Sequence, residues 1–161
     1  MSSRTWSAAP APAASDRFDV IVGADRRSLR VLGHVAIGTG ISHDVAGPDG
    51  RLYVADTRGS ALFTLATRPR LHLLSRLRLP GTPYGLASDP IRRRLWVTET
   101  ATNTVAELDV SRPRPQVIAT FPTVRQANTV AVDTASGRVF VAGASAGVVQ
   151  FFDPPQMRSL R

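Results

Sequence analysis

An all-β chain built from a repeated four-strand unit is what this sequence predicts, on three observations. Short runs of apolar, β-branched and aromatic residues follow one another, separated by Pro, Asn, Gly, Ser and Thr, with no long helical periodicity between them. One pattern recurs: Leu52-Tyr-Val-Ala-Asp56, Leu95-Trp-Val-Thr-Glu99 and Val139-Phe-Val-Ala-Gly143 start 43 (95 − 52) and 44 (139 − 95) residues apart. These runs are apolar on both faces, since Leu95 and Val97 point one way and Trp96 the other. A sheet apolar on both faces must be sandwiched between two others. Four strands in each period of 43–44 residues is the signature of β-propeller blades stacked around an axis.

Taken in order, residues 1–16 (MSSRTWSAAPAPAASD) hold almost nothing to bury and read as a disordered Ala/Pro/Ser tail. Residues 17–154 are the blades. Phe18–Ala24 and Leu29–Ile37 match a third and a fourth strand. Three units follow. Their first strands centre on Asp44-Val-Ala, Gly85-Leu-Ala and Thr129-Val-Ala, and their third strands lie at Ala61–Thr67, Thr104–Val110 and Val148–Asp153. The central unit closes with a fourth strand, Gln116–Phe121. Asp49-Gly50 and Ser136-Gly137 join first to second strands, where a tight hairpin favours residues that tolerate positive φ. Pro90–Arg93 replaces that turn with a looser loop. Residues 155–161 form a C-terminal tail. The count gives three blades and one strand, a partial ring, against four to eight blades in typical propellers. An open arc leaves an apolar face bare at each end. At roughly 400 Å² per face, about 10 kcal/mol of burial is forgone at each. The chain is therefore expected to be a fragment of a larger propeller, or to complete a ring as a homodimer.

Composition excludes more than it assigns. With 43% apolar residues the chain can bury a core. It has no Cys, so disulfides and thiolate metal sites are out. No apolar run approaches the ~20 residues that span a bilayer. There is no signal peptide in this sequence, and export would require a true start further upstream. The net charge is +8, and every basic residue is Arg. Arg26, Arg27, Arg51, Arg68, Arg70, Arg92, Arg93, Arg94, Arg112, Arg114 and Arg138 fall in or beside turns that share one face with Asp25, Asp49, Asp89, Asp109, Asp133 and Asp153. This Arg-rich underside is expected to attract polyanions weakly. The recurrent Asp residues at strand ends read as turn-makers.

Leu52–Asp56, Asn103–Asp109, Asp25–Gly38 and Val130–Asp133 together resemble the YVTN-type β-propeller repeat, over about residues 17–154. Leu95–Glu99 with Asn103 is similar to the blade motif of streptogramin lyase propellers, and the layout to gluconolactonase-type calcium propellers. The resemblance implies a propeller whose ligand site lies at one mouth of the ring. It implies no catalytic residue here, because the lyase's paired His and Glu and the lactonase's full motif have no counterpart.

By that analogy the mouth carries His43, Asp44, Asp56, Tyr84, Glu99 and Asn128, from first-strand starts and second-strand ends. His43, Tyr84 and Asn128 are expected to be equivalent positions. These side chains can orient a small ligand or protein partner, or cap the corners by bonding nearby backbone N–H groups. The expected function is a non-catalytic scaffold for binding a partner or small ligand, with no cofactor. The alternative is a metal-assisted hydrolase or lyase holding calcium or magnesium on Asp44, Glu99 and Asn128.

Overall fold

The computed structural model describes residues 18–21, 33–145 and 147–154. Both tails, Asp25, Arg26, Arg27 and most of the link before His34 lie outside them. Among the described residues thirteen strands form four antiparallel sheets. Strands β1 (Phe18–Ile21) and β2 (His34–Ile37) make a half-blade. Blade I is β3 (Ile41–Ala46), β4 (Arg51–Asp56), β5 (Ala61–Ala66) and β6 (His72–Arg78), in that spatial order. Blade II is β7 (Pro83–Asp89), β8 (Arg94–Glu99), β9 (Thr104–Asp109) and β10 (Gln116–Pro122). Blade III has three strands, β11 (Ala127–Val132), β12 (Val139–Gly143) and β13 (Val148–Phe152). This is the expected partial propeller.

The two-faced strands explain the stacking. Leu52 and Val54 of β4 join Ile37, Ala61, Phe63 and Leu65 in a core on the side of the half-blade. On the opposite face Tyr53 and Ala55 meet Leu86, Leu95, Val97 and Leu108 of blade II. Blade II repeats the arrangement, with Trp96 and Val105 packed on Val130, Val139 and Val141 of blade III. Inner strand β7 touches β3 on one side and β11 on the other, as strands around an axis do.

No further blade covers the far face of blade III among the described residues, and on it the Arg138 guanidinium lies over the Phe151 ring, 5.1 Å from its centroid. Ala131, Phe140 and Phe151 line up across β11, β12 and β13, with Ala142 and Val149 beside them. Val149 is 63% exposed and Phe151 60%. The bare apolar end face expected from the strand count is present here.

The first hairpin of blade I adopts the expected backbone. Asp49 and Gly50 have φ of 60° and 68°, and the Arg51 N–H donates to the Pro48 carbonyl. Pro48 has no N–H to return, so Gly47 donates to the Arg51 carbonyl instead, at 2.9 Å. This hairpin is one residue shorter than its counterparts: Ile41 pairs with Asp56, but Pro83 with Glu99 and Ala127 with Gly143. That residue shifts everything upstream of it. Each inner strand opens on a β-bulge, and the register aligns Ser42, not His43, with Tyr84 and Asn128. His43 aligns with Gly85 and Thr129, which corrects the equivalence read from the sequence.

Candidate functional site

The mouth is where β3, β7 and β11 begin and β4, β8 and β12 end. The bulges re-aim the first side chains of the inner strands there. His43 and Tyr84 come together on adjacent blades, with ring centroids 5.4 Å apart and planes tilted by 57°. His43 is exposed and Tyr84 half-buried. Asn128 follows on β11; its backbone carbonyl lies so close to Gly85 that a Cβ there would sit 2.6 Å from the oxygen. Only glycine lets these two inner strands approach so closely.

The other three sequence candidates do not join that group. Asp44 pairs with Val54, on the half-blade side of β3, whereas His43 pairs with Ala55 on the blade II side. Alternation along the strand therefore turns the two side chains to opposite faces. Asp56 is buried, and its carboxylate accepts N–H groups of Thr39 (3.0 Å), Gly40 (2.8 Å) and Gly59 (2.9 Å). It pins the loop arriving from the half-blade. Glu99 lies at the same place in blade II, against Gly81, where a Cβ would come within 2.6 Å of it. Its Oε2 accepts the Thr104 hydroxyl at 3.1 Å. In blade III the position is Gly143, and the incoming loop packs directly on it. Among the described residues no three His, Asp or Glu side chains group as they would around a metal ion.

A second device at the mouth went unread in the sequence. Thr57, after Asp56, donates its hydroxyl to the Pro83 carbonyl of blade II at 2.8 Å. Thr100, after Glu99, donates to the Ala127 carbonyl of blade III at 2.7 Å. Each threonine clasps its blade to the next. The acid-Thr pair recurs 43 residues apart, and that spacing was the available signal. Blade III has Ala144 at this position and no hydroxyl to offer.

On the opposite face the strand-end Asp residues organise turns as expected. Asp89 accepts the N–H groups of Ile91 and Arg92, and Asp133 that of Ala135. The Arg-rich underside is neutralised in part among the described residues. Arg92 pairs with Asp89 (2.9 Å), Arg93 with Asp49 (2.7 Å), Arg94 with Glu107 (3.1 Å) and Arg138 with Asp153 (2.8 Å). Several of these groups cross between blades. Arg93 reaches back to blade I, Arg92 donates to the Thr134 carbonyl of blade III, and Arg51 donates to the Val110 carbonyl of blade II. The exposed Arg68, Arg70 and Arg114 form no salt bridge among the described residues.

No family model matches the sequence, and no curated protein matches it. Similar solved structures are β-propellers and proteins of the same architecture. The chain superimposes on hydrazine synthase of Kuenenia stuttgartiensis with a TM-score of 0.74, at 18% identity, over 89% of this chain and 53% of that one. For the Cps50 β-propeller domain of Myceliophteria thermophila the TM-score is 0.66 at 9% identity, over 81% and 43%. For streptogramin B lyase it is 0.53 at 11% identity, over 70% and 40%. The chain thus has the β-propeller fold and spans about half the length of these proteins. No helix among the described residues is long and apolar enough to cross a membrane.

Proposed function

We propose that this chain is a non-catalytic propeller scaffold that binds a partner or small ligand at its mouth, and that it works as one arc of a larger ring. The His43–Tyr84 ring pair, with His43 exposed and Tyr84 half-buried, carries the reading. Two rings tilted against each other at the start of adjacent inner strands offer an angled apolar surface with polar edges, beside Asn128 as a donor and acceptor. Asp56 holds the loop from the half-blade in place, and Glu99 is engaged by the Thr104 hydroxyl, so both shape the site from behind. The ring would be completed by further blades of a longer propeller or by a second copy of this chain seated on the bare face of blade III. The exposed turns Arg68–Arg70 and Arg112–Arg114 are where weak, salt-sensitive attraction to polyanions would reside.

A fragment library screened by thermal shift tests the mouth. Compounds that raise the melting temperature of the parent chain and leave a His43→Ala/Tyr84→Ala variant unchanged support it; hits that stabilise both equally sink it. Light scattering reads the arc. A clean dimer or aggregation at low concentration agrees with an uncovered face, and a stable monodisperse monomer does not.

A further inference from the structure

The two inter-blade interfaces start from the same strand positions and differ on the underside. Tyr53 and Thr64, paired across β4 and β5, are completely buried between blades I and II, and Arg51 closes the lower edge on the Val110 carbonyl at 2.7 Å. Between blades II and III the same places, 43 residues on, hold Trp96, Glu107 and Arg94. Here Arg94 does not reach across. Its Nε donates to Glu107 at 3.1 Å, and its Nη1 lies 3.6 Å from Asp109. A cavity of about 680 Å³ opens in the gap. That volume falls in the range of roughly 300–1,000 Å³ typical of small-molecule sites.

The lining has a definite chemistry. Trp96, only 2% exposed and braced by Phe121 and Phe152, lies behind the cavity at its apolar back. The Arg94–Glu107 pair lies beside it, and Arg138 with Asp153 stands on the blade III side. Arg92 spans the floor, its guanidinium lying close over Gly137. Each cation already has a carboxylate, so the cavity has no net charge yet presents both signs. Burial raises the pKa of Glu107, and Arg94 offsets this only in part. A purely anionic ligand taken by Arg94 would strip Glu107 of its partner in a half-buried place. A purely cationic one taken by Glu107 would strip Arg94. A ligand with both charges replaces each partner it displaces.

We propose that this cavity binds a small zwitterion of the amino-acid class, its ammonium group on Glu107 and its carboxylate on Arg94. The site lies at the end of the ring opposite the mouth and is independent of it. The chain has two Trp residues, so Trp6→Phe leaves Trp96 as the sole indole reporter. Free L-amino acids are titrated singly into the millimolar range while Trp96 emission is followed, with acetate and methylammonium as single-charge probes. The expected result is a saturable change with at least one amino acid, weakened roughly tenfold by Glu107→Gln, and none with either single-charge probe. Circular dichroism checks the fold of the variant; Glu107→Asp takes its place should the amide fail to fold. No saturable response to any amino acid overturns the proposal. So does saturation that the Glu107 variant leaves intact, or equal saturation by acetate.

Discussion

The interface between blades I and II is closed from mouth to underside; the one between blades II and III is closed at the mouth and through its apolar core, and opens a cavity toward the underside. Both begin with a threonine clasp, Thr57 to Pro83 and Thr100 to Ala127. They diverge at one cross-strand pair. Tyr53 with Thr64 fills the first gap at the cost of two buried hydroxyls that make no well-formed hydrogen bond among the described residues; Tyr53 Oη has Arg51 beside it, and that guanidinium is already given to the Val110 carbonyl. Trp96 with Glu107 leaves a charged group in the second, and a charge that keeps its partner keeps some space around it. The difference teaches that one repeat can trade polar satisfaction for closure while its neighbour makes the reverse trade, on an unchanged backbone plan.

The largest expected effect separates the two aromatic residues. Trp96→Ala removes the ring on which Phe121 and Phe152 pack and should cost about 3–5 kcal/mol in urea unfolding. Tyr53→Phe should cost little or nothing, because the hydroxyl it deletes is buried without a well-formed hydrogen bond and the nearby Arg51 guanidinium keeps the Val110 carbonyl at 2.7 Å. A loss above about 1 kcal/mol for Tyr53→Phe would mean that this hydroxyl has found a partner, and the contrast between the interfaces would fail.

At the mouth the interfaces should behave alike. Thr57→Val and Thr100→Val each delete one inter-blade hydrogen bond and keep the side-chain volume, at about 1 kcal/mol apiece, with a small further loss for Thr57 from its contact with the Ser42 hydroxyl inside blade I. Losses further apart than that in thermal melts would show that the asymmetry extends the whole height of the gap.

The smallest effect is in pH, and its sign differs between the interfaces. The hydrogen bond from Arg93 holds Asp49 below the ordinary carboxylate value of 3.8. Its contribution is present above that value and is lost as pH falls through the lowered one. Burial lifts Glu107 above 4.5, so its contribution is present below 4.5 and is lost as pH rises through the raised value. Asp49→Asn should flatten the acid limb of the stability profile. Glu107→Gln should remove a decline above 4.5. Melting temperatures across pH that move the same way in both variants would contradict the assignment.

Most of the architecture was legible because the signal is the second strand of each blade. Leu52–Asp56 and Leu95–Glu99 are buried on both faces and Val139–Gly143 is apolar on both, so both sets of alternate residues are constrained and the period stands out. First strands were misread by one position in blade I. A hairpin closed by Asp49 and Gly50 loses a residue with no trace in composition, and only pairing to a known partner reveals the slip. The mouth was half legible for a related reason. Residue types that bind ligands are those that organise loops, and Asp56 became a clamp because Thr39, Gly40 and Gly59 present N–H groups to it. The underside gap was not legible at all. Glu107 sits on a strand among apolar neighbours, and nothing local says whether a facing blade will close over it.

The outer side of β13 pairs with no strand among the described residues, and Val148, Val149 and Phe151 stand out from it. This segment, Val-Val-Gln-Phe-Phe, carries no charge and no proline. Its free row of amide and carbonyl groups is a template on which like segments can add in register. Fibre growth seeded from this strand is thus a hazard of purification at high concentration. A single charge placed at Val149, which faces outward, would act as a gatekeeper without touching the core.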